Sequence, residues 1–179
     1  MTKQILFACL FGAVYCQNAN AQSSDAMRKA MAACGPPDSQ FDVALNVQTN
    51  PQPAKSDEAL VYVIGNWYGG GLWGPVVRVA VNGTWVGALK GTVYFTIQLK
   101  PGTYHFCAQG QGHNPPGPKE VALDVLDLKP GETYYLLADS EWVSTSGFLG
   151  LEALNADEGR LLLAQSKPVV ATPKAAKKP

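Results

Sequence analysis

Apolar and polar residues alternate with a period of two over most of the chain between residues 41 and 154. Successive side chains of a strand point to opposite faces, so this period predicts strands with one buried face and one face in water. The continuous apolar run 60–64 is instead typical of a central strand. The segments with strand character are 41–47, 60–64, 77–81, 84–89, 93–99, 103–108, 121–125, 134–138 and 147–154.

Short phrases with turn chemistry join these segments. Asn82-Gly83 is the strongest short-range signal for a two-residue hairpin. A Leu-Lys-Pro-Gly phrase occurs twice, at 99–102 and 128–131, each time between two apolar-rich runs. Proline presets φ for the second position of a turn, and glycine takes the positive φ that the third position of a type II turn requires. Each phrase therefore predicts a corner between strands.

About eight short strands at roughly ten-residue spacing predict an all-β fold, an antiparallel sandwich of the Ig-like kind. A parallel sheet would need crossover helices, and no helical pattern separates the strands. In front of the sandwich, Ser24 or Asp25 would cap a short helix over 26–33. Behind it, 157–165 predicts one or two helical turns. Residues 167–179 have no apolar period, and we expect them to form a disordered tail rich in Lys, Pro and Ala.

The first 21 residues predict an export signal. Lys3 precedes an apolar stretch, and Ala19-Asn20-Ala21 is the small-x-small pattern that signal peptidase recognises. We expect cleavage after Ala21 and a mature protein in the periplasm or outside the cell. No later run approaches the roughly 20 apolar residues of a membrane helix, so we expect no transmembrane segment in the mature chain. Neither Cys9 nor Cys16 has a lipidation context, which disfavours a lipid anchor.

These signals divide the chain into four parts. Residues 1–21 are the signal peptide, and 22–58 are an N-terminal segment with the short helix and the first strand. Residues 59–166 form the β-sandwich domain, and 167–179 form the tail. The mature chain is about the size of one domain with flanking segments.

Charge is distributed unevenly along the chain. Residues 22–166 carry nine basic and fourteen acidic side chains, whereas four lysines lie within 167–178. An acidic body predicts no nucleic-acid partner, because affinity for nucleic acids comes largely from neutralising phosphates. The basic tail is the exception, and we interpret it as a flexible solubilising end, with contact to an anionic envelope surface as the alternative.

Two cysteines, Cys34 and Cys107, remain after the signal peptide. In an oxidising compartment, two cysteines of a small exported domain most often pair, so we expect a disulfide between them. It would connect the N-terminal segment to the strand after the first Lys-Pro-Gly corner. The alternative is two separate buried thiols.

The order of these phrases resembles known families. Residues 79–87 (Val-Ala-Val-Asn-Gly-Thr-Trp-Val-Gly) are followed by 99–105 (Leu-Lys-Pro-Gly-Thr-Tyr-His). This order resembles a family of small exported bacterial proteins known only as a domain of unknown function, and it is similar to PEGA-type surface sandwiches. The resemblance covers residues 59–154 and implies a PEGA-like β-sandwich in the periplasm or at the cell surface, without assigned catalysis. It carries over no functional residue.

Only two histidines are present, His105 and His113, which limits metal and acid–base chemistry. His105 and Cys107 share a strand face, but a His-Cys-His metal site needs a fourth ligand and a free thiolate. A bonded Cys107 forbids the thiolate. We therefore expect no metal, and we interpret His105 as a partly buried polar side chain.

Other catalytic patterns are missing from the sequence. It has no Gly-x-Ser-x-Gly elbow, and the glycines at 69–71 lack the Gly-Lys-Ser/Thr ending of a phosphate loop. Asp57-Glu58 and Asp157-Glu158 are carboxylate pairs, yet glycoside hydrolysis needs two carboxylates facing each other across a cleft. We interpret these pairs as solvated surface charge. We expect no cofactor and no enzymatic activity; a hydrolase using a histidine and surface carboxylates is the least favoured alternative.

Trp67, Tyr68 and Trp73 lie close together in a glycine-rich loop. Exposed aromatic residues in loops at the end of a sandwich are a common recognition surface, so these three are the candidate contacts to a ligand or partner. The more conservative interpretation is that Trp73 and a neighbour cap the core. Trp85 and Trp142 are expected in the core or on a sheet face.

The sequence thus favours a non-enzymatic exported β-sandwich that contacts an unknown protein or glycan in the cell envelope. A carbohydrate-binding module that uses the aromatic loop is the main alternative.

Overall fold

The computed structural model describes residues 28, 31–46, 53–66, 75–111, 121–143 and 146–174, without the side chains of 140–143 and 146–148. Within these ranges the chain from residue 33 onwards forms ten strands and a helix. In chain order they are β1 Phe41–Leu45, β2 Ala59–Asn66, β3 Val77–Val81, β4 Thr84–Leu89, β5 Val93–Leu99, β6 Gly102–Gly110, β7 Val121–Leu128, β8 Thr133–Val143, β9 Ser146–Leu154, α1 Ala156–Gln165 and β10 Lys167–Pro173.

The strands form two sheets, which confirms the all-β sandwich. The larger sheet has the order β1-β10-β5-β2-β8-β9, and the smaller has the order β4-β3-β6-β7. The core lies between them, because the inward-facing positions of both sheets are apolar and buried. Its largest buried cluster comprises Ala59, Val61, Val63, Val77, Val79, Val81, Leu89, Val93, Phe95, Phe106, Ala108, Leu126, Leu128, Leu136, Ala138, Leu151 and Val169.

The expectation of a purely antiparallel arrangement is wrong for the larger sheet. There β2 pairs with β8 in parallel, and β10 pairs with β5 in parallel. Parallel neighbours need a connection that returns to the same end of the sheet. Between β2 and β8 the chain passes through β3 to β7, and between β5 and β10 it passes through β6 to β9 and the helix α1.

Both Leu-Lys-Pro-Gly phrases are corners where the chain changes sheet. The first joins β5 to β6, and the second joins β7 to β8. At the second corner the Glu132 N–H donates to the Lys129 carbonyl at 3.4 Å, and Gly131 has φ +73°, as predicted for a type II turn. At the first corner Gly102 has φ +149° and already belongs to β6, so the type II prediction does not hold there.

The hydroxyl of Tyr134 holds the second corner by hydrogen bonds to the backbone on either side of Leu128. The hydroxyl of Tyr134 accepts the Lys129 N–H at 2.9 Å and lies 3.2 Å from the Asp127 carbonyl oxygen, to which it can donate. The Glu132 carboxylate, at 2.9 Å, is its other acceptor. A tyrosine hydroxyl that returns to the backbone a few residues upstream is a recurrent feature of Greek-key sandwiches.

The hairpin prediction at Asn82-Gly83 is confirmed. Both residues have positive φ, 47° and 80°, as a type I′ turn between β3 and β4 requires. The Asn82 side chain also connects the hairpin to β6, because its Oδ1 accepts the N–H of His105 at 2.8 Å.

The predicted helical turns at 157–165 are confirmed as α1. Asn155 caps this helix by accepting the N–H groups of Asp157 and Glu158, each at 3.0 Å. The helix packs on the outer face of the larger sheet through Gly159, where a Cβ atom would come within 2.1 Å of the Tyr135 ring. The predicted N-terminal helix, 26–33, lies largely outside the described residues, and the predicted signal peptide, 1–21, lies wholly outside them.

The predicted disordered tail is wrong for most of its length. Residues Lys167–Pro173 form β10, which pairs with β1 on one side and with β5 on the other. Backbone pairing requires no apolar period, and a single inward side chain, Val169, is buried in the core. The sandwich therefore includes β1 and β10, beyond the predicted limits of 59–166. Residues 175–179 lie outside the described part of the chain.

Replacing Tyr134 with Phe is expected to lower the free energy of unfolding by about 1–2 kcal/mol, because the Lys129 N–H loses its acceptor. Urea denaturation followed by circular dichroism would measure it. Tyr104→Phe is the matched control, since Tyr104 follows the first corner and its hydroxyl makes no hydrogen bond within the described residues. Equal losses in both variants would contradict the role of the hydroxyl.

Candidate functional site

The predicted disulfide is confirmed: Cys34 and Cys107 are bonded, with their Cα atoms 5.1 Å apart. Cys107 lies on β6 with its side chain on the outer face of the smaller sheet, because its neighbours Phe106 and Ala108 face the core. It is nevertheless fully buried. The segment that covers it is residues 33–40, named the strap here.

The strap is held on the sheet by direct contacts to β4 and the turn before it. The Gly83 N–H donates to the Ala33 carbonyl at 3.0 Å, and Trp85 Nε1 donates to the Pro36 carbonyl at 2.7 Å. Gly35 lies against the Trp85 ring so closely that a Cβ atom would be 2.4 Å from it. Trp85 thus lies on a sheet face, as predicted, and the strap shields its ring.

Arg78 is the polar centre under the strap. Only 1% of it is exposed, and its NH1 group donates to the carbonyls of Pro37, at 2.9 Å, and of Ser39. Its guanidinium lies 4.4 Å from the centre of the Trp85 ring, a cation–π distance. Burial lowers the pKa of Arg78, and the charge of Asp38 opposes this effect. Since both carbonyl acceptors belong to the strap, Arg78 acts as a structural anchor.

The strap leads into β1, whose first residue, Phe41, is hydrogen-bonded to a side chain that follows β6. Gln111 follows β6, and its side-chain amide accepts the Phe41 N–H at 2.7 Å and donates to the Phe41 carbonyl at 3.1 Å. The amide thereby imitates a neighbouring strand and closes the start of this sheet edge.

Beside the strap, the outer face of β6 and β7 carries three exposed side chains, His105, Leu123 and Val125. Leu123 is 40% exposed and Val125 is 51% exposed, because the inward positions of β7 are Ala122, Leu126 and Leu128. His105 is exposed rather than partly buried as predicted, and it lies opposite Val125 in the register.

The aromatic candidates Trp67, Tyr68 and Trp73, and also His113, lie outside the described residues. Both Lys-Pro-Gly corners lie at the end of the sandwich where β2 begins, since Ala59 pairs with Leu99 and Leu60 with Thr133. The described strand ends that flank 67–74, 112–120 and 144–145 therefore all lie at the opposite end.

Asp57 and Glu58, the first of the carboxylate pairs in the sequence, are held by lysines. Asp57 binds Lys100 at 2.7 Å, and Glu58 binds Lys100 at 3.3 Å and Lys55 at 3.1 Å. The hydrogen bond and charge of Lys100 hold the pKa of Asp57 below its usual value. Asp157 pairs with Arg160 within α1, at 3.2 Å. No group of metal-ligating side chains occurs among the described residues, and Cys107 has no free thiolate.

Three tyrosines, Tyr62, Tyr94 and Tyr135, form a cluster that the sequence analysis did not predict. Tyr62 stacks on Tyr135 with ring centres 5.4 Å apart, and Tyr94 lies 5.8 Å from Tyr62. All three lie on the outer face of the larger sheet beside α1, each about 8% exposed. Burial raises the pKa of Tyr62 and of Tyr94. The continuous apolar character of β2 was the signal for this cluster, because it required a cover on both faces.

Comparison with known proteins gives no relative. No family model, no curated protein and no solved structure matches the chain. The described residues contain no helix long and apolar enough to cross a membrane.

Removing the disulfide by Cys34→Ala with Cys107→Ala is expected to lower the free energy of unfolding by about 4 kcal/mol, since the bond closes a loop between residues 73 apart. Denaturant unfolding of the oxidised protein and of the double variant measures this difference. A reductant should destabilise the parent and leave the double variant unchanged. Alkylation of both thiols in unreduced mature protein would contradict the bond.

Proposed function

We propose that this chain is an exported, non-enzymatic β-sandwich that makes protein or glycan contacts in the cell envelope or outside the cell. The observation that carries the proposal is the disulfide-held strap. Structural disulfides persist in oxidising compartments, and this one ties a segment of polar and proline-rich sequence onto a sheet face. The small-x-small pattern at Ala19-Asn20-Ala21 supplies the export route.

We propose further that the sandwich is of the Ig-like or PEGA-like type. Two features support this assignment: both Leu-Lys-Pro-Gly phrases act as corners between sheets, and Tyr134 locks the second corner in the manner of a Greek-key domain. Domains of this kind supply a rigid frame, and their end loops or edges carry recognition.

Export predicts that the mature protein begins at Gln22. Fractionation of the producing cells, with intact-mass measurement of the product, would test this. Replacing Ala19 and Ala21 together with Phe should leave the precursor uncleaved, because signal peptidase requires small residues there. Ala33→Ser, downstream of the cleavage site, is the control. An uncleaved, cytosolic parent protein with reduced Cys34 and Cys107 would refute the proposal.

A second candidate function is carbohydrate binding. It is favoured by the described strand ends that flank 67–74, which lie at the same end of the sandwich as those that flank 112–120 and 144–145. Connections at one end of a sandwich can contribute to one binding surface. Aromatic rings stack on sugar rings, and Trp67, Tyr68 and Trp73 would supply them.

If the aromatic residues bind glycans, Trp67→Ala and Trp73→Ala should each abolish the signal on a glycan array. Lys129→Ala is the matched control, since Lys129 is exposed at the opposite end and should leave binding unchanged. Circular dichroism would establish that the variants fold. A parent protein that binds no glycan, or binding that survives both substitutions, would exclude this function while leaving the export proposal intact.

A further inference from the structure

β7 is an edge strand of the smaller sheet, and the direction of its backbone groups follows from its neighbour β6. On β6, the His105 N–H donates to Asn82 Oδ1 at 2.8 Å, and the His105 carbonyl accepts the Asn82 N–H at 2.8 Å. Both groups thus point away from β7, so His105 and Val125 are a non-hydrogen-bonded pair. The backbone N–H and carbonyl of Val125, and of Leu123 two residues before it, consequently point out of the sheet.

The described residues place no strand beside this edge. One end of it is satisfied locally, because the Tyr134 hydroxyl bonds the backbone of Asp127 and Lys129. At the centre, Asp124 Oδ1 accepts the outward Val125 N–H at 2.8 Å. A side-chain carboxylate therefore stands where the carbonyl of a neighbouring strand would be.

The side chains at the same positions are apolar. Leu123 and Val125 are among the most exposed large apolar residues of the described chain, at 40% and 51%, and half-buried Val121 precedes them on the same face. Natural edge strands are protected by charged side chains, including inward-pointing ones, by proline or by bulges. β7 carries Asp124 and Asp127 of this kind, yet the outward backbone groups of Leu123 and Val125 still lie beside an apolar row.

We propose that β7 pairs antiparallel with β7 of a second copy of this chain, about a two-fold axis that passes through Leu123. The apolar positions are symmetric about this residue. Leu123 then faces Leu123 of the second copy, and Val125 of each copy faces Val121 of the other. The hydrogen-bonding groups of these residues meet, because all three point outward, and the smaller sheet becomes eight strands wide.

The acidic residues select this register over its neighbours. With the axis at Leu123, Asp124 faces Ala122 of the second copy, and no two carboxylates are opposed. An axis at Asp124 would place two aspartates directly opposite each other, which is destabilising. An axis at Val125 would place Leu123 opposite Asp127. On pairing, Asp124 releases the Val125 N–H to the carbonyl of Val121 in the second copy. An edge contact of this size gives a weak, concentration-dependent dimer.

Sedimentation velocity of the oxidised protein from about 1 µM to about 1 mM tests the dimer. The parent should shift from monomer to dimer over this range. Leu123→Lys and Val125→Lys should each weaken association at least tenfold, because each puts ammonium groups into an apolar row. Val170→Lys is the matched control: Val170 is 47% exposed, but β10 lies inside the larger sheet, so association should be unchanged.

The register has its own test. With a short thiol-specific bifunctional reagent, Val121→Cys combined with Val125→Cys should give a cross-linked dimer, because residue 121 of each copy faces residue 125 of the other. Val125→Cys alone should not, because its two copies lie four residues apart along the pair. Thermal melts would establish folding of all variants. A parent that stays monomeric over the whole range, including one that binds a different extended peptide at this edge, would overturn the proposal. So would unaltered association of both lysine variants, or cross-linking of Val125→Cys alone as fast as that of the double variant.

Discussion

The whole structure depends on the burial of apolar side chains between two sheets that the chain must enter alternately. Each buried Val, Leu, Ile or Phe contributes about 1.5–3 kcal/mol by leaving water, so the inward row of every strand must find the opposite sheet. The two Lys-Pro-Gly corners make this possible, because each takes the chain from one sheet to the other within a few residues. Both lie at one end and are joined there to the start of β2, where the Gly131 N–H donates to the Glu58 carbonyl and the Leu60 N–H to the Glu132 carbonyl.

The outer faces of the two sheets are covered by different elements of the chain. Over the larger sheet, α1 and the stacked tyrosines form a second apolar layer, with Gly159 allowing the helix to touch the Tyr135 ring. Over the smaller sheet, the cover is an irregular strap in which only Cys34 is buried. A buried arginine, a tryptophan and a disulfide hold it instead. A covalent bond suits this place, because an irregular segment of polar and proline-rich sequence cannot repay the entropy of its own ordering by burial alone.

The two sides of the sandwich also end differently. On the side of β1, Gln111 reaches across from the end of β6 and bonds the first residue of the edge strand at both its N–H and its carbonyl. On the side of β7, protection comes from Tyr134 at one end and a single aspartate at the centre. The apolar row of Val121, Leu123 and Val125 is the surface proposed for strand pairing with another copy.

The sequence by itself determined the nine strands β1 to β9, the hairpin at Asn82-Gly83 and the two corners, because φ preferences and period-two hydrophobicity are local properties. It also indicated the partner of Cys34, since only one other cysteine, Cys107, follows residue 21. Tertiary structure decided the rest. Residues 167–173 became a strand because two neighbouring backbones offered hydrogen bonds, which side-chain periodicity does not record. Leu123 and Val125 turned outward because the register with β6 put Ala122 and Leu126 into the core, and no local signal distinguishes the two faces of an edge strand that is apolar on both.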